Sequence, residues 1–595
     1  MKRILWIAFG TIVLAGLAFI GTGGQQGVAL LAAKYLMRKD PAPNRAVSWE
    51  QGPARNERAT DGVKRRPNVI VILADDQGFN DVTFNGGGVA GGAVPTPSID
   101  SIGREGVSFS SGYAGNATCS PSRAAMLTGR YATRFGFEFT PIPVQFSRVV
   151  GHDAPKDSAF KPIYHGDLVS QVPDVADMGL PDTEKTMATL LKADGYHTIH
   201  IGKWHLGETR RMRPNAHGFD ESLGFLSGGS MFLPESDPNV VNAKHPSDPI
   251  DKFIWAMQPS GVRFNDSEPF ATKGYMTDYF TDEAVKAIQA NRNRPFFMYL
   301  AYNAPHTPLQ ATKADYDALP QIKSHPLRVY GAMIRSLDRN IGRVLQALKA
   351  AGIDDNTLVV FTSDNGGANY IDLAEINKPF RGWKATFFEG GVRVPFYMRW
   401  PGVIPAGSDY AAPVSHFDIF ATALAATGTA MPTDRVIDGV DLLPFVNRKR
   451  SGRPHDQLFW RSGHYRMMVS GDWKLQVTDH PRKDWLYNLK DDPYEKNNLA
   501  ATRPETVSQL KAALAAHERS QVKPLWPALV ENFPQAPVVL GEAARQIAAQ
   551  NNIEVTTAAK QSAVTVSPAL FASPDVGPLI DGIATNAVVA SKLGQ

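Results

Sequence analysis

The sequence contains a single cysteine, Cys119, among 595 residues. One cysteine cannot form an internal disulfide, so cysteine pairs say nothing about the compartment. A strong charge bias is also missing, because 62 Lys and Arg residues are balanced by 58 Asp and Glu residues. No internal repeat and no aromatic-basic array of the kind that binds single-stranded nucleic acid is present. These absences argue against a disulfide scaffold, a repeat protein and a general nucleic-acid-binding protein.

The remaining composition is that of a soluble globular protein, with 43% hydrophobic and 20% charged residues. A chain of 595 residues is too long for one compact core of ordinary size. We therefore expect one large domain and a smaller one.

The N-terminus carries an export pattern. Lys2 and Arg3 precede an almost unbroken apolar run over 4–20, which is typical of a signal peptide and differs from a buried core helix in its terminal position and basic flank. The run is nearly long enough to remain as a membrane anchor. We predict a signal peptide or anchor at 1–24, a polar linker at 25–66, and a periplasmic or extracellular protein, tethered if the helix is not cleaved.

Four short apolar segments predict buried strands. The first, 69–73, is a continuous run rich in β-branched residues, as in a parallel sheet covered on both faces. Similar segments follow, and each ends in polar residues: 196–207, 294–308 and 356–367. Amphipathic helices lie between them, for example over 334–352. This alternation predicts an α/β domain with a large mixed, mostly parallel sheet flanked by helices, over 67–430.

Beyond residue 400 the pattern changes. The segment 455–477 alternates like an antiparallel hairpin with S-G-D-W as its turn, and a helix is expected near 503–518. We predict a smaller C-terminal α+β subdomain with a small antiparallel sheet at 431–537, and we assign no structure to the tail at 538–595. Segments 141–180 and 230–275, rich in proline, glycine and aromatics, are expected to be loops over the site.

The carboxyl ends of parallel strands are where such sheets bind ligands. Asp75 and Asp76 follow the first strand, and Asp364 and Asn365 follow the fourth. Each could be an ordinary turn or cap residue. Together they offer hard oxygen ligands, which favour calcium or magnesium over zinc.

Five cationic or imidazole side chains fall near the same strand ends. None is informative alone, because a lone lysine is usually solvated and a lone histidine is usually a satisfied polar residue. As a set they could surround a small tetrahedral anion beside a divalent cation: Arg123, Lys203, His205, His306 and Lys384.

Cys119 has two ordinary interpretations. A lone cysteine is usually buried and inert. A thiolate at a helix N-terminus, with its pKa lowered by the helix dipole and Arg123, would be a nucleophile. Spacing alone does not decide between them.

The stretch C-S-P-S-R-x-x-x-L-T-G, residues 119–129, resembles the signature of the formylglycine-dependent, cysteine-type sulfatases. A-D-D-Q-G-F-N-D-V, G-K-W-H-L-G, A-P-H-T-P and S-D-N-G-G resemble further segments of that family, in the same order, and the likeness runs from about 67 to about 530. The resemblance implies an alkaline-phosphatase-like sulfatase fold and an arylsulfatase-like hydrolase of sulfuric esters. It also implies that a maturation enzyme oxidises the cysteine to formylglycine (3-oxoalanine).

The same resemblance implies a role for each candidate. Residue 119 and the four oxygen donors Asp75, Asp76, Asp364 and Asn365 would bind one calcium ion, with magnesium as the second choice. Arg123 would hold the formylglycine, and His205 would contact its hydroxyl. The sulfate ester would be bound by Lys203, His306 and Lys384. Chemically, Asp364 is our choice of base, and His306 or Lys384 would protonate the leaving alcohol.

Two other functions remain as alternatives. A phosphate or phosphonate ester hydrolase of the same superfamily could use a similar set of metal, lysine and histidine groups. A non-catalytic protein that binds sulfated glycans could use the same scaffold. The sequence does not identify the alcohol of the ester or the oligomeric state.

Overall fold

The computed structural model describes residues 41–54, 65–152, 163–245, 249–258, 260–373, 375–480 and 482–531, and the strand pair Val555–Thr557 and Val564–Val566. The export segment at 1–24, most of the linker and the tail apart from that pair lie outside the described residues. Among the helices that the structure describes, none is long and apolar enough to cross a bilayer.

A nine-stranded sheet forms the centre of the large domain. Its five middle strands are parallel, and antiparallel strands flank them on both sides. In spatial order the strands are Ser408–Tyr410, Val107–Phe109, Phe396–Arg399, Thr357–Ser363, Asn68–Ala74, Phe296–Ala301, His197–Lys203, Glu221–Phe225 and Arg263–Phe264. The predicted mixed, mostly parallel sheet is confirmed.

The strand Asn68–Ala74 shows why apolar and polar residues do not alternate in the run at 69–73. All seven of its residues are buried. Val69, Val71 and Leu73 belong to the core on one face of the sheet. The alternate residues Ile70, Ile72 and Ala74 belong to the core on the other face. A strand covered on both sides needs apolar residues at every position.

Helices cover both faces of the sheet. The long helices Met276–Asn291 and His325–Ala350 contribute to one core, and Cys119–Thr128 and Phe417–Thr427 contribute to the other. The remaining α-helices are Val89–Gly92, Pro97–Arg104, Val144–His152, Met187–Ala193, Pro249–Met257, Lys313–Asp317, Glu389–Val392, Leu443–Val446 and Pro504–Glu518. Short 3₁₀ helices span Phe79–Asp81, Thr83–Asn85, Ala132–Arg134, Gly166–Gln171, Val175–Asp177, Arg210–Met212, Pro214–His217, Asp354–Asn356 and Asn369–Ile371.

The predicted helix at 334–352 is longer than its pattern indicated. It begins at His325, directly after Ser324, with a proline in its first turn. Proline is tolerated there because the first N–H groups of a helix have no intrahelical acceptor. The helix ends at Ala350, close to the predicted stop.

The C-terminal unit is a four-stranded antiparallel sheet with a helix packed on it. Its strands are Gln457–Ser462, Tyr465–Ser470, Trp473–Asp479 and Arg482–Asn488. The predicted hairpin turns at Gly471 and Asp472, and the predicted helix is Pro504–Glu518. Leu510 and Leu514 of this helix pack against the sheet. The predicted smaller C-terminal subdomain is confirmed, whereas its boundary at 430/431 stays a prediction.

The segments at 141–180 and 230–275 are not simple loops, and that prediction was wrong. They contain the helices Val144–His152 and Pro249–Met257, which meet through the rings of Phe146 and Phe253 at 4.8 Å. Neither helix has a long apolar period, so tertiary contacts stabilise them. Short strand pairs complete the fold: Val240–Ala243 with Leu309–Thr312, Ile163–Tyr164 with Val530–Glu531, and Gly112–Tyr113 with Val414–Ser415.

Residues 41–54, which fall in the predicted linker, pack against the large domain. Trp49 is buried in its core, and the indole N–H donates to Glu283 at 2.9 Å. Residue 42 forms a bridge with Phe270. The polar composition of this segment predicted a linker, but the buried side chain of Trp49 anchors it to the large domain.

Candidate active site

Polar side chains from four neighbouring strands meet at the carboxyl edge of the sheet. The strand Asn68–Ala74 leads into Asp75 and Asp76, and its parallel neighbour Thr357–Ser363 leads into Asp364 and Asn365. Because the two strands run in parallel register, their ends coincide, and Asp364 Oδ1 accepts a hydrogen bond from the Asp76 amide at 3.1 Å. On the other side of Asn68–Ala74, the strand ends deliver Lys203, His205 and His306.

Asp76 occupies a strained conformation at this edge. Its φ is 61°, which is uncommon for a residue other than glycine. Such conformations persist where the surroundings fix them, and they concentrate at functional sites. Here the hydrogen bond from the Asp76 backbone N–H to Asp364 Oδ1 holds the backbone, while the Asp76 carboxylate turns into the cluster.

The helix Cys119–Thr128 directs its N-terminus at the two aspartates. Every residue of the helix is buried, and Gly129 ends it in the left-handed conformation. Cys119 Sγ lies 3.7 Å from Asp75 Oδ1 and 3.9 Å from Asp76 Oδ1. The sulfur therefore lies beside the carboxylates that we expected to bind a metal.

Arg123 lies one turn after Cys119 and is fully buried. Its Nε and Nη2 lie 2.9 and 2.8 Å from Asp364 Oδ2, and its Nη1 donates to the Lys203 carbonyl at 3.1 Å. The guanidinium thus joins the helix to two strand ends. Burial opposes its charge, but the surrounding anionic groups, Asp364 and Asp75 among them, raise the pKa of Arg123 above its ordinary value.

Two lysines pair with the two aspartates. Lys203 Nζ lies 2.9 and 2.7 Å from the two carboxylate oxygens of Asp75, with both side chains fully buried. Lys384 Nζ lies 2.8 Å from the Asp76 carboxylate. The strand end that carries Lys203 and the glycine-rich segment around Lys384 therefore converge on adjacent carboxylates, although they lie far apart in sequence.

His205 and His306 also belong to the cluster. His306 Nε2 lies 3.6 Å from Asp76 Oδ2, while its Nδ1 faces the Thr307 carbonyl at 2.5 Å. Burial lowers the pKa of His306 to about 3, even though Asp76 opposes that shift. Burial, with Lys203 and Arg123, also holds the pKa of His205 well below its usual range. Both imidazoles are therefore neutral near pH 7.

The carboxylates differ in their electrostatics. Burial raises the pKa of Asp75 to about 7, against the attraction of Lys203. Burial would also raise the pKa of Asp76, but Lys384 and His306 outweigh it and hold that pKa below the usual range. Asp364 behaves alike, since Arg123 and Lys203 more than offset its burial and lower its pKa. For Cys119, burial and Asp364 raise the thiol pKa to about 12.

The donor set fits a divalent cation. Ligand atoms of Asp75, Asp76, Cys119 and His306 all lie within 4.8 Å of one another. Asn365 donates its amide to Asp76 Oδ1 at 2.7 Å, and its buried Oδ1 has no hydrogen-bond partner within the described part of the chain. A buried carbonyl oxygen left over beside carboxylates is a ready ligand for a hard cation. His306 also belongs to this group, whereas the sequence predicted it as a substrate-binding and catalytic residue and not as a metal ligand.

Tyr370 is a site residue that the sequence analysis missed. Its hydroxyl lies 3.1 Å from Asp76 Oδ2 and 3.4 Å from Lys384 Nζ. It follows S-D-N-G-G in the 3₁₀ helix Asn369–Ile371, where no periodic pattern or motif singles it out.

A cavity of about 1350 Å³ opens onto this cluster and is lined at that end by Cys119, His205, His306 and Lys384. The structure thus brings together all ten residues predicted from the sequence, and it places the cysteine where a ligand in the cavity can reach it.

Comparisons with known proteins agree with this geometry. The sulfatase family model matches residues 67–429, and a model described as the C-terminal part of N-sulphoglucosamine sulphohydrolase matches residues 381–520. N-acetylgalactosamine-6-sulfatase of Mus musculus is 36% identical over 426 residues, which cover 70% of this chain and 73% of that protein. Steryl-sulfatase of Rattus norvegicus is 30% identical over 500 residues, covering 73% and 79%.

A solved structure shows the same fold. The crystal structure of Ps i-CgsB in complex with k-i-k-neocarrahexaose superimposes with a TM-score of 0.64 and 30% sequence identity, covering 78% of this chain and 95% of that one. The family model spans more than half of the chain and includes every residue of the cluster. The chain belongs to the sulfatase family, the hydrolases of sulfate esters.

Proposed function

We propose that this sulfatase cleaves sulfate monoesters with a formylglycine derived from Cys119, beside one bound calcium ion. The observation that carries the proposal is the position of Cys119 Sγ, 3.7 and 3.9 Å from the carboxylates of Asp75 and Asp76 and open to the cavity. An inert structural cysteine would need neither the carboxylates nor the access.

The electrostatics of Cys119 argue against a thiolate nucleophile. Its thiol pKa of about 12 leaves it protonated near pH 7. Oxidised by a separate maturation enzyme, the same side chain supplies as its hydrate a hydroxyl nucleophile for sulfur. Position 119 suits that group, because Lys203, Lys384 and Arg123 lie close enough to interact with it electrostatically.

Calcium is the proposed metal because the cluster is dominated by oxygen donors. Asp75, Asp76 and Asn365 offer carboxylate or carbonyl oxygens, and Asp364 lies next to Asp76. When bound, the ion supplies positive charge against the sulfate oxygens. Magnesium is the second choice because it demands a stricter octahedral geometry.

The cationic side chains have separate tasks. Lys203, Lys384 and His306 are proposed to bind the sulfate oxygens, and the two lysines stabilise the charge that builds up on them. Lys384 is the group that carries a proton near neutral pH: burial alone would lower its pKa, but Asp76 and other nearby groups raise that pKa well above the ordinary value. We therefore assign protonation of the leaving alcohol to Lys384 rather than to His306, which is neutral before the substrate binds.

Asp364 and His205 complete the proposed proton transfers. Arg123 and the Asp76 amide hold both oxygens of Asp364, so the carboxylate stays ionised and fixed in direction as a proton acceptor. His205 lines the cavity, and its Nδ1 has no hydrogen-bond partner among the described residues. A neutral imidazole in that position can accept the proton released when the sulfate is expelled.

The names of the relatives leave the alcohol open. One is named for N-acetylgalactosamine and another for a steryl group, and Ps i-CgsB was crystallised with k-i-k-neocarrahexaose. From the relatives alone, we propose that the substrate is a sulfate ester of a small molecule or a glycan.

We also propose that the protein is exported, to the periplasm or beyond it. The proposal is supported by Lys2, Arg3 and the apolar run at 4–20. Cell fractionation with N-terminal sequencing of the mature protein tests it. Recovery of the intact chain in the cytoplasm would refute it.

Peptide mass spectrometry across residues 112–134 is the decisive experiment. Protein produced beside a competent maturation enzyme should show the mass loss that accompanies replacement of CH₂SH by CHO. Cys119→Ala should abolish turnover of 4-nitrophenyl sulfate, while Ser408→Ala, on an edge strand of the sheet, should retain it. An unmodified thiol in active protein would refute the mechanism, and faster turnover of 4-nitrophenyl phosphate would favour a phosphatase.

A further inference from the structure

The cavity beside the reaction centre has mainly apolar walls. Aliphatic, aromatic and proline side chains from several separate segments line it, including Phe139, Ile142, Phe146, Val172, Phe253 and Trp526. Its volume, about 1350 Å³, exceeds what the sulfate group needs and also exceeds the usual range for small-molecule sites, roughly 300–1,000 Å³. Most of this space is therefore available to the alcohol part of the ester.

Two charged side chains of the lining, Glu138 and Arg213, already have partners within the protein. The Glu138 carboxylate accepts hydrogen bonds from Arg461 at 2.7–3.0 Å and from the Gly463 amide at 2.7 Å. Arg213 Nη1 donates to Asp266 at 2.8 Å. A ligand hydroxyl would have to compete with these internal partners for the same two side chains.

Tyr370 joins the apolar walls to the proposed sulfate site. Its hydroxyl bonds Asp76, whereas its ring packs against a small apolar cluster of Val150 and Ile254, against which Phe146 also packs. The apolar surface thus begins next to the carboxylates, separated from them only by the side chain of Tyr370. A substrate whose sulfate lies at the cluster must place its alcohol along this surface.

The polarity of the cavity lining indicates the polarity of the alcohol part of the substrate. A sugar presents several hydroxyls, and each must find a hydrogen-bond partner when it leaves water. An apolar alcohol needs no such partners and gains by leaving water in proportion to the area it buries. Because most of the lining surface is apolar, the cavity favours the apolar alcohol.

We infer that the preferred substrate is the sulfate ester of a bulky apolar alcohol, bound with its hydrocarbon part against the apolar lining that includes Phe146 and Trp526. This inference rests on the proposed function, since it concerns the alcohol of the same reaction.

A series of linear alkyl sulfates tests the inference. Ethyl, butyl and octyl sulfate share a primary alkyl leaving group with galactose 6-sulfate, so differences in kcat/KM report binding of the alcohol. Each buried methylene should raise kcat/KM by ~3–4-fold, or on the order of 100-fold from butyl to octyl sulfate. Octyl sulfate should also exceed galactose 6-sulfate.

Phe146→Asn should reduce the gain per methylene more than it reduces turnover of ethyl sulfate. Val436→Asn is the matched control: Val436 is a large apolar residue, 55% exposed and outside the cavity lining. It should leave the whole series unchanged. The series on the unaltered protein needs no variant, so a variant that fails to fold does not remove the test.

The outcomes separate the two proposals. A flat series, with galactose 6-sulfate preferred and 4-nitrophenyl sulfate still cleaved, would overturn the apolar alcohol and leave the sulfatase mechanism standing. Cleavage of no sulfate ester by protein that carries formylglycine would overturn both.

Discussion

The hydroxyl of Tyr370 lies 3.1 Å from Asp76 Oδ2, and its ring packs against the small apolar cluster of Val150 and Ile254. One side chain therefore contacts the proposed metal site with its polar end and the apolar cavity wall with its ring. Lys384 lies within 3.4 Å of the same hydroxyl. Tyr370 is thus placed to orient Asp76 and Lys384 with respect to a ligand in the cavity.

Tyr370→Phe tests this orienting role. The change removes one hydrogen bond to a buried carboxylate and keeps the ring in place. A hydrogen bond to a charged group is worth ~1.5–3 kcal/mol, so kcat/KM for 4-nitrophenyl sulfate should fall by roughly 10-fold or more. Tyr316→Phe is the control, because its hydroxyl bonds His325 at 3.0 Å away from the cluster. An unchanged rate in Tyr370→Phe would exclude a role for the hydroxyl.

Metal removal should abolish activity reversibly. Treatment with a chelator should stop turnover, and added calcium should restore it. Calcium should also raise the thermal midpoint, since an ion present at 100 times its Kd stabilises the folded state by ~2.7 kcal/mol. Asp76→Asn should lose this stabilisation, because its carboxylate is one of the clustered ligands.

Asp434→Asn is the control for metal binding, since Asp434 is half exposed and pairs with Lys185 and Arg435. It should retain the calcium response of the thermal midpoint. Equal calcium responses in the Asp76→Asn and Asp434→Asn variants would place the ion elsewhere.

Sequence patterns predicted the sheet and the carboxylate cluster because each strand, and each carboxylate at its end, is marked by a short local pattern. A continuous apolar run marks a strand buried on both faces, and Asp75 and Asp364 directly follow two such runs. Tyr370 and Phe146 could not be predicted, because they come from segments without a period and acquire a role only through tertiary contacts. Likewise, no local signal marks Trp49 as a core residue.

Lys474 forms a buried charge network that connects the C-terminal sheet to the segment after Lys384. Its Nζ lies 2.7 Å from Glu389 Oε1 and 3.0 Å from Glu495 Oε1, and all three side chains are fully buried. Lys474→Met would leave two buried carboxylates without their shared cation. The free energy of unfolding should fall by ~3–5 kcal/mol, measured by urea denaturation.

Lys511→Met provides the comparison for Lys474. Lys511 pairs with Asp484 at 2.6 Å, but both side chains are partly exposed. Such a pair contributes only ~0–1 kcal/mol. If the two variants lost equal stability, the buried network would not be the structural link between the two units.

His455 should make the stability of the protein depend on pH. Its Nε2 lies 2.8 Å from Asp418 Oδ1, and Asp418 also accepts hydrogen bonds from the Ser415 and Val440 amides. Burial would lower the pKa of His455, but the Asp418 carboxylate outweighs it and raises that pKa above the ordinary value of 6.5. A histidine with a raised folded-state pKa contributes stability that is complete below the unfolded pKa and is lost as pH rises through the folded one.

The thermal midpoint should therefore fall as the pH rises above about 6.5, and His455→Gln should remove part of that slope. Glutamine keeps a hydrogen-bond donor for Asp418 but cannot titrate, so the variant should be less stable than the parent at pH 6 and should approach it at pH 9. His480→Gln, whose side chain is 61% exposed, should follow the parent across the range. A slope that survives unchanged in His455→Gln would show that protonation of His455 does not stabilise the folded protein.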